Sequence, residues 1–225
     1  MARLFGWPTA AKAPVPSPAG VPTQGPSLPL QGPRVLVRPL RRHDLDERQA
    51  WRPYNDPLYL VWDMPKCSRE ENDRWFAQMT DGRYRLTYGV EDVSGRMVGM
   101  LSLREIVWGD SARLGIAFSP DHIDQEYGTE SLQMFLPYFF YTLGFCAMVL
   151  DVAAGNVRAV RCYQKAGFRQ VSSYWQAVDG PLDLGILDRP EYAPIRSFFR
   201  WRWGRPEGLY YDMELKREEW EKEAI

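Results

Sequence analysis

The sequence predicts an α/β (α+β) domain in which a mixed sheet carries helices on both faces, and three observations lead there. Short apolar and β-branched runs alternate with helical patterns in the order β-α-α-β-β-β-α-β-α-β-β. Leu132, Phe135, Leu136, Phe139, Phe140 and Leu143 recur at helical spacing, so one long helix buries a continuous stripe. The short apolar run from Met148 to Val152 is followed by a segment with Asn156 at its start and Gly167 past its end, the residue types that cap helices.

Taken in order, residues 1–33 stand apart. They contain Pro8, Pro14, Pro16, Pro18, Pro22, Pro26, Pro29 and Pro33 and no acidic residue. Proline lacks the backbone donor that sheets and helices need, so this tail is expected to stay outside both, extended or disordered. The domain is expected to fill residues 34–225, with Val35-Leu36-Val37-Arg38 as its first strand. His43 to Tyr54 has helical character, and Ser68 three residues before Glu71 forms a capping box that opens a second helix. Arg85 to Val90 and Met97 to Ile106 read as strands joined by a turn at Asp92-Val93-Ser94-Gly95, and Ala112 to Phe118 as a third, stopped by Ser119-Pro120. Pro137 should kink the long helix and Gly144 should end it. Strands over Phe168 to Val178 and Leu209 to Leu215 close the domain, with an insertion at about 181–207 between them.

Composition narrows the function classes. Of 225 residues, 45% are hydrophobic, enough for a substantial core, and the net charge of −1 argues against nucleic acid or an anionic membrane as partner. Three cysteines (Cys67, Cys146, Cys162) and two histidines lack metal-ligand spacing, so no metal is expected. With no run long enough to span a bilayer and no secretion signal pattern, the cytoplasm is the expected compartment.

Two clusters carry chemistry. Gly115-Ile116-Ala117-Phe118-Ser119-Pro120 leads into Tyr127-Gly128-Thr129-Glu130-Ser131-Leu132, a strand, a loop and a helix start. A helix start offers unpaired N–H groups and a positive dipole end, which suit a phosphate. Thirty residues on come Leu150-Asp151-Val152, Asn156, Arg158-Ala159, Cys162-Tyr163 and Lys165-Ala166-Gly167-Phe168. Together these resemble the cofactor motifs of the GNAT superfamily of N-acetyltransferases, most closely its ribosomal-protein N-terminal acetyltransferase-like branch. The resemblance spans roughly residues 34–178 and the strand Tyr210 to Leu215. It implies a GNAT-like, mostly antiparallel sheet and acetyl-CoA as cosubstrate. It also implies a splay between the strands at 112–118 and 148–152 that admits pantetheine, bound by backbone near Ala117 and Phe118. The pyrophosphate is then expected on Ile123, Gln125, Glu126, Tyr127, Gly128 and Thr129, with Asn156 and Ala159 as further cofactor neighbours.

By the same resemblance Tyr163 is the acid that protonates the departing CoA thiolate; its ordinary alternative is packing with Ala159, Val160 and Ala166. Relatives often carry an acidic residue where this chain has Arg113, so the general base is open between Glu105 and Asp110, and Glu105 is carried forward. The family loop reads roughly Gln/Arg-x-x-Gly-x-Gly/Ala; in register this chain has Ile123, Glu126 and Gly128, while a shifted register would use Gln125. The expected activity is acetyl transfer from acetyl-CoA to a primary amine, a peptide N-terminus or a small amine. The alternative is a non-catalytic acyl-CoA-binding or protein-interaction module with a degenerate loop. In the insertion, Phe199-Arg200-Trp201-Arg202-Trp203-Gly204 alternates aromatic and basic residues, which fits a hairpin packed on the domain or on a second copy in a homodimer, a lid, or a nucleic-acid platform.

Overall fold

The computed structural model describes residues 25–63, 65–178 and 184–223. Most of the proline-rich tail and the start of the insertion lie outside these residues. The strands are β1 (Leu30–Gln31), β2 (Val35–Pro39), β3 (Arg85–Asp92), β4 (Met97–Val107), β5 (Ser111–Phe118), β6 (Ala147–Ala153), β7 (Arg169–Ala177), β8 (Phe199–Arg202) and β9 (Arg205–Lys216). The helices are α1 (Asp44–Gln49), α2 (Arg69–Met79), α3 (Tyr127–Pro137), α4 (Val157–Lys165) and α5 (Arg217–Glu223). One mixed sheet runs in the order β1-β2-β3-β4-β5-β6-β9-β7, with β8 also on β9. Every pair is antiparallel except β5 with β6.

Alternation along the strands decides which helix covers which face. Leu101 and Leu103 of β4, Leu114 of β5, Met148 and Leu150 of β6 and Met213 of β9 join Leu132, Phe135, Leu136 and Phe139 of the α3 segment in the main core. Removing each such side chain from water contributes about 1.5–3 kcal/mol. Tyr163 and Ala166 place α4 against the same core. The intervening positions, Ser102 and Arg104 of β4 and Arg113 of β5, point to the other face, where Leu45 and Met79 of α1 and α2 pack on Met97 and Met100. A third cluster joins Leu58, between α1 and α2, to Leu184, Leu187 and Tyr192 of the insertion. Tyr192 also donates its hydroxyl proton to Asp56 Oδ1 at 2.9 Å.

Several local expectations hold in detail. The Ser68/Glu71 capping box closes with bonds of 3.2 and 2.7 Å. The long apolar helix does change at Pro137: regular α-helix stops there and continues as one wide π turn, Tyr138–Thr142, before Gly144 turns at φ 75°. Proline offers no N–H to the preceding turn, so the geometry relaxes there without losing the buried stripe.

Three expectations need correction. Residues before 34 do join the sheet: Leu30 and Gln31 lie between prolines but keep their own donors, and they pair with Val37 and Leu36 while Leu30 is buried. The first helix ends at Gln49 rather than Tyr54, because Pro53 disfavours helical geometry in the residue before it. The aromatic–basic strand stops at Arg202, since Trp203 and Gly204 form its hairpin turn with φ of 49° and 72°. Helix α5 was not anticipated, and its Trp220 packs on Phe140 and Tyr141.

Candidate functional site

The site begins where two strands part. β5 and β6 pair only from Ser111–Arg113 to Ala147–Val149. Beyond that point β5 stays with β4 as far as Phe118, and β6 stays with β9 as far as Ala153. The strands therefore diverge, and the β5 edge from Leu114 onward is left without a strand partner on that side. A cleft of about 870 Å³ opens there, lined by both strands, the start of α3, α4 and the cleft-facing ends of β7 and β9.

Most of the residues proposed from the sequence meet in this cleft. Ala117, Phe118, Ile123, Glu126, Tyr127, Gly128, Thr129, Asn156, Ala159, Tyr163 and Glu105 all line it. Gln125 is not among them: its side chain bonds back to the Asp121 carbonyl at 2.8 Å, and its own carbonyl accepts from Arg34 at 2.9 Å. The unshifted motif register is thus the one whose side chains face the cleft.

At the start of α3, Gly128 is closely approached, and a side chain there would need its neighbours to give by a few tenths of an ångström. A Cβ there would sit 3.3 Å from the Cys162 sulfur and 3.6 Å from the Phe118 ring. Glu126 stands at φ 63°, a left-handed conformation that glycine adopts more readily, which accounts for the glycine the family motif has at this position. Its carboxylate is turned to Lys165 at 2.7 Å, and that ammonium holds the carboxyl below its ordinary range. Arg158, Arg161 and Lys165 project from α4 at i, i+3 and i+7 into the cleft, with Arg158 3.6 Å from Asp124. Arg158 and Lys165 stand in the motif quoted from the sequence but were given no role there, and Arg161 was not singled out; their helical spacing opposite the loop was the available signal. They supply positive charge where Ile123 supplies none.

Asn156 both caps α4, accepting from the Ala159 N–H at 3.3 Å, and lines the cleft. Tyr163 is buried, with its ring edge-on to Phe168 at 5.8 Å between centroids. Burial, with Cys162 and Asp151 adding to it, pushes its phenol far above the ordinary value. It is therefore protonated throughout the neutral range but a weaker acid than a free phenol. Burial also raises the neighbouring Cys162 thiol, which lies 3.6 Å from the Thr129 hydroxyl.

Glu105 lies at a bulge with φ 50°, and its carboxylate accepts from Arg113 Nε at 2.8 Å. Asp110 does not line the cleft; its side chain accepts from the Ser111 hydroxyl. The carboxylates that sequence reasoning passed over are Asp151 and Asp212, cross-strand partners on β6 and β9. The mouth is spanned by the segment between α1 and α2: Tyr54 donates to the Phe118 carbonyl at 3.4 Å, and Arg158 stacks on Tyr59 at 5.2 Å.

Residues 34–169, more than half of the chain, match the acetyltransferase (GNAT) domain family. The chain belongs to the GNAT family. As a GNAT protein it is an acyl-CoA-dependent N-acetyltransferase with acetyl-CoA as cosubstrate. It is similar to the spermidine N(1)-acetyltransferase of Vibrio cholerae, 24% identical over 136 residues that cover 60% of this chain and 79% of that protein. An uncharacterized N-acetyltransferase of Methanocaldococcus jannaschii is 27% identical over 143 residues, covering 60% and 78%. Among solved structures, the V. cholerae spermidine N-acetyltransferase in complex with CoA and spermine matches with a TM-score of 0.62 at 19% identity, covering 83% of this chain and 97% of that one. A Bacillus anthracis GNAT acetyltransferase gives 0.59 at 14%, covering 84% and 99%. Two of these relatives are spermidine N-acetyltransferases by name, and the ribosomal-protein branch is not specifically matched. No helix among the described residues is long and apolar enough to cross a membrane.

Proposed function

We propose that this GNAT enzyme acetylates the primary amine of a small molecule by direct attack on the acetyl-CoA thioester, with Tyr163 assisting departure of the thiolate. The observation that carries the reading is the splay itself: a strand edge, a helix start and three cations line a single cleft that narrows to the Arg113–Val149 pair. The extended pantetheine arm fits along the open β5 edge as a further strand would. Its pyrophosphate would meet the α3 N–H groups and the α4 cations. The thioester then lies toward the apex, where Tyr163 and Asp151 also line the cleft.

In the reaction the neutral amine attacks the carbonyl carbon, the tetrahedral adduct collapses, and the C–S bond breaks. The amine nitrogen loses one proton and the sulfur gains one. With its raised pKa, the Tyr163 phenol acts chiefly as a hydrogen-bond donor to the developing thiolate. The side chains available at the apex to take the amine proton, directly or through water, are the carboxylates of Glu105, Asp151 and Asp212. A small amine is favoured over a peptide N-terminus, the acceptor of the ribosomal-protein branch. The α1–α2 segment is tied to the insertion through Leu58 and Tyr192 and to the cleft rim through Tyr54. That roof restricts the room for a polypeptide.

The test is thiol release from acetyl-CoA with a panel of small amines and short peptides. Turnover with at least one small amine, faster than with any peptide, is the expected outcome. Acetyl-CoA binding without turnover on any amine would favour the non-catalytic alternative.

A further inference from the structure

On the α1/α2 face the sheet carries an ordered row of charge that starts at Arg85, one strand beyond the cleft lining, and enters the cleft at Arg104 and Arg113. Arg85 of β3 is the cross-strand partner of Arg104 of β4, and Arg104 is the partner of Arg113 of β5. Like charges directly opposite one another on neighbouring strands destabilise a sheet, so three in succession call for compensation. Part of it is present. Arg113 bonds Glu105 at 2.8 Å and Asp151 at 3.1 Å, and Arg104 bonds the same Asp151 oxygen at 3.0 Å. The remainder is unmet. Arg104 Nε is buried with no partner, and among the described residues the Arg85 guanidinium has no hydrogen-bond or ion-pair partner. Burial first and the nearby Arg104 charge second make the Arg85 cation harder to hold, with the Asp81 carboxylate offsetting part of this, which fits a group that a bound anion would stabilise further.

Past Arg113 the sign reverses: Asp151 of β6 faces Asp212 of β9, which also accepts the Ser172 hydroxyl at 2.5 Å. The change from cation to carboxylate falls beside the Arg113–Val149 pair, where the β5/β6 ladder ends and the cleft has its apex.

We propose that the acceptor amine carries an oxyanion, a carboxylate or a phosphate, which sits on Arg85 and Arg104 while the amine lies toward Asp151 and Asp212. This rests on the acetyl-transfer reading and specifies its substrate class. A guanidinium fork matches a planar carboxylate or a phosphate edge, and the opposed charges orient the acceptor with its nitrogen at the thioester. A polyamine laid the same way would bring a second cation against Arg85 and Arg104.

The test uses matched acceptors with saturating acetyl-CoA: α- and ω-amino acids against their carboxamides, phosphoethanolamine against ethanolamine, and spermidine. The expected result is a kcat/KM at least about tenfold higher for the anionic member of one pair, and the pair that shows it separates carboxylate from phosphate. Arg85→Gln should remove that preference through the KM of the acceptor, Arg85→Lys should restore part of it, and acetyl-CoA affinity by calorimetry should report that each variant is folded. Equal or better use of carboxamides, ethanolamine or spermidine, or a preference that survives Arg85→Gln, would overturn the assignment. If no amine is acetylated, the transfer reading fails separately, and the anion site is still read directly. Inorganic phosphate added to the CoA-saturated protein should raise its melting temperature, and Arg85→Gln should abolish the rise. No rise in the unsubstituted protein overturns the site.

Discussion

Replacing Tyr163 with phenylalanine isolates one hydroxyl. The ring packs edge-on against Phe168 in the main core, and phenylalanine keeps that contact, so the denaturant midpoint should hardly move. What is lost is a donor to a thiolate that develops as the C–S bond breaks. A hydrogen bond to a charged group contributes about 1.5–3 kcal/mol, which corresponds to roughly a 10- to 150-fold drop in kcat. Full general-acid catalysis would be worth about 10²–10⁴. Because burial pushes the phenol far above its ordinary value, proton transfer to sulfur is uphill, and the lower range is expected. The assay is thiol release under saturating acetyl-CoA, with acetyl-CoA affinity measured in parallel and expected to stay within about threefold of the parent. The pH profile adds an independent reading. An acid form favoured by burial moves any alkaline limb from this phenol upward, so the rate should show no such limb up to about pH 10. A kcat within twofold of the parent would refute the role. An alkaline limb below pH 10 that disappears in the phenylalanine variant would refute the burial argument.

Arg38→Met should destabilise the fold by about 3–5 kcal/mol in urea titrations, because it leaves the fully buried Asp44 without the guanidinium it bonds at 2.7 and 2.8 Å. Glu126→Gly should relax the left-handed backbone and remove a negative charge beside the α3 start, tightening acetyl-CoA binding by about two- to tenfold in calorimetry; weaker binding would show that the carboxylate helps through Lys165. Burial raises the phenols of Tyr88 and Tyr163, so the unfolded chain releases these protons first. Their contribution to stability is therefore intact below about pH 10 and falls above it, with a slope of about 1.4 kcal/mol per pH unit per group. Tyr88→Phe should lessen that slope in urea titrations between pH 8 and 11.

Local signals carried much of this structure in the sequence itself. The alternating strands, the Ser68/Glu71 box, the Asn156 cap and the 3.6-residue stripe from Leu132 each depend on neighbours a few positions away, and each element formed. Gly128 was legible as a point of close approach, although what approaches it, Cys162 and the Phe118 ring, belongs to other elements. The strand at Leu30–Gln31 was obscured because the prolines around it dominate local composition, while its partner lies on β2. The roof over the cleft was equally invisible, since Leu58 and Tyr192 are far apart in the chain.

The sequence by itself determined the order of elements, the strand–loop–helix frame and the place of Tyr163 on α4, since periodicity and capping are short-range properties of the chain. Only the tertiary structure decided which charges share a surface. Arg85, Arg104 and Arg113 come from three strands and cross-strand register sets them in one row with Val149, while Asp151 and Asp212 face each other two residues further along β6 and on the neighbouring β9. The cleft has the same origin. It exists because β5 and β6 follow different neighbours after Arg113 and Val149, and which neighbours those are is a matter of long-range pairing.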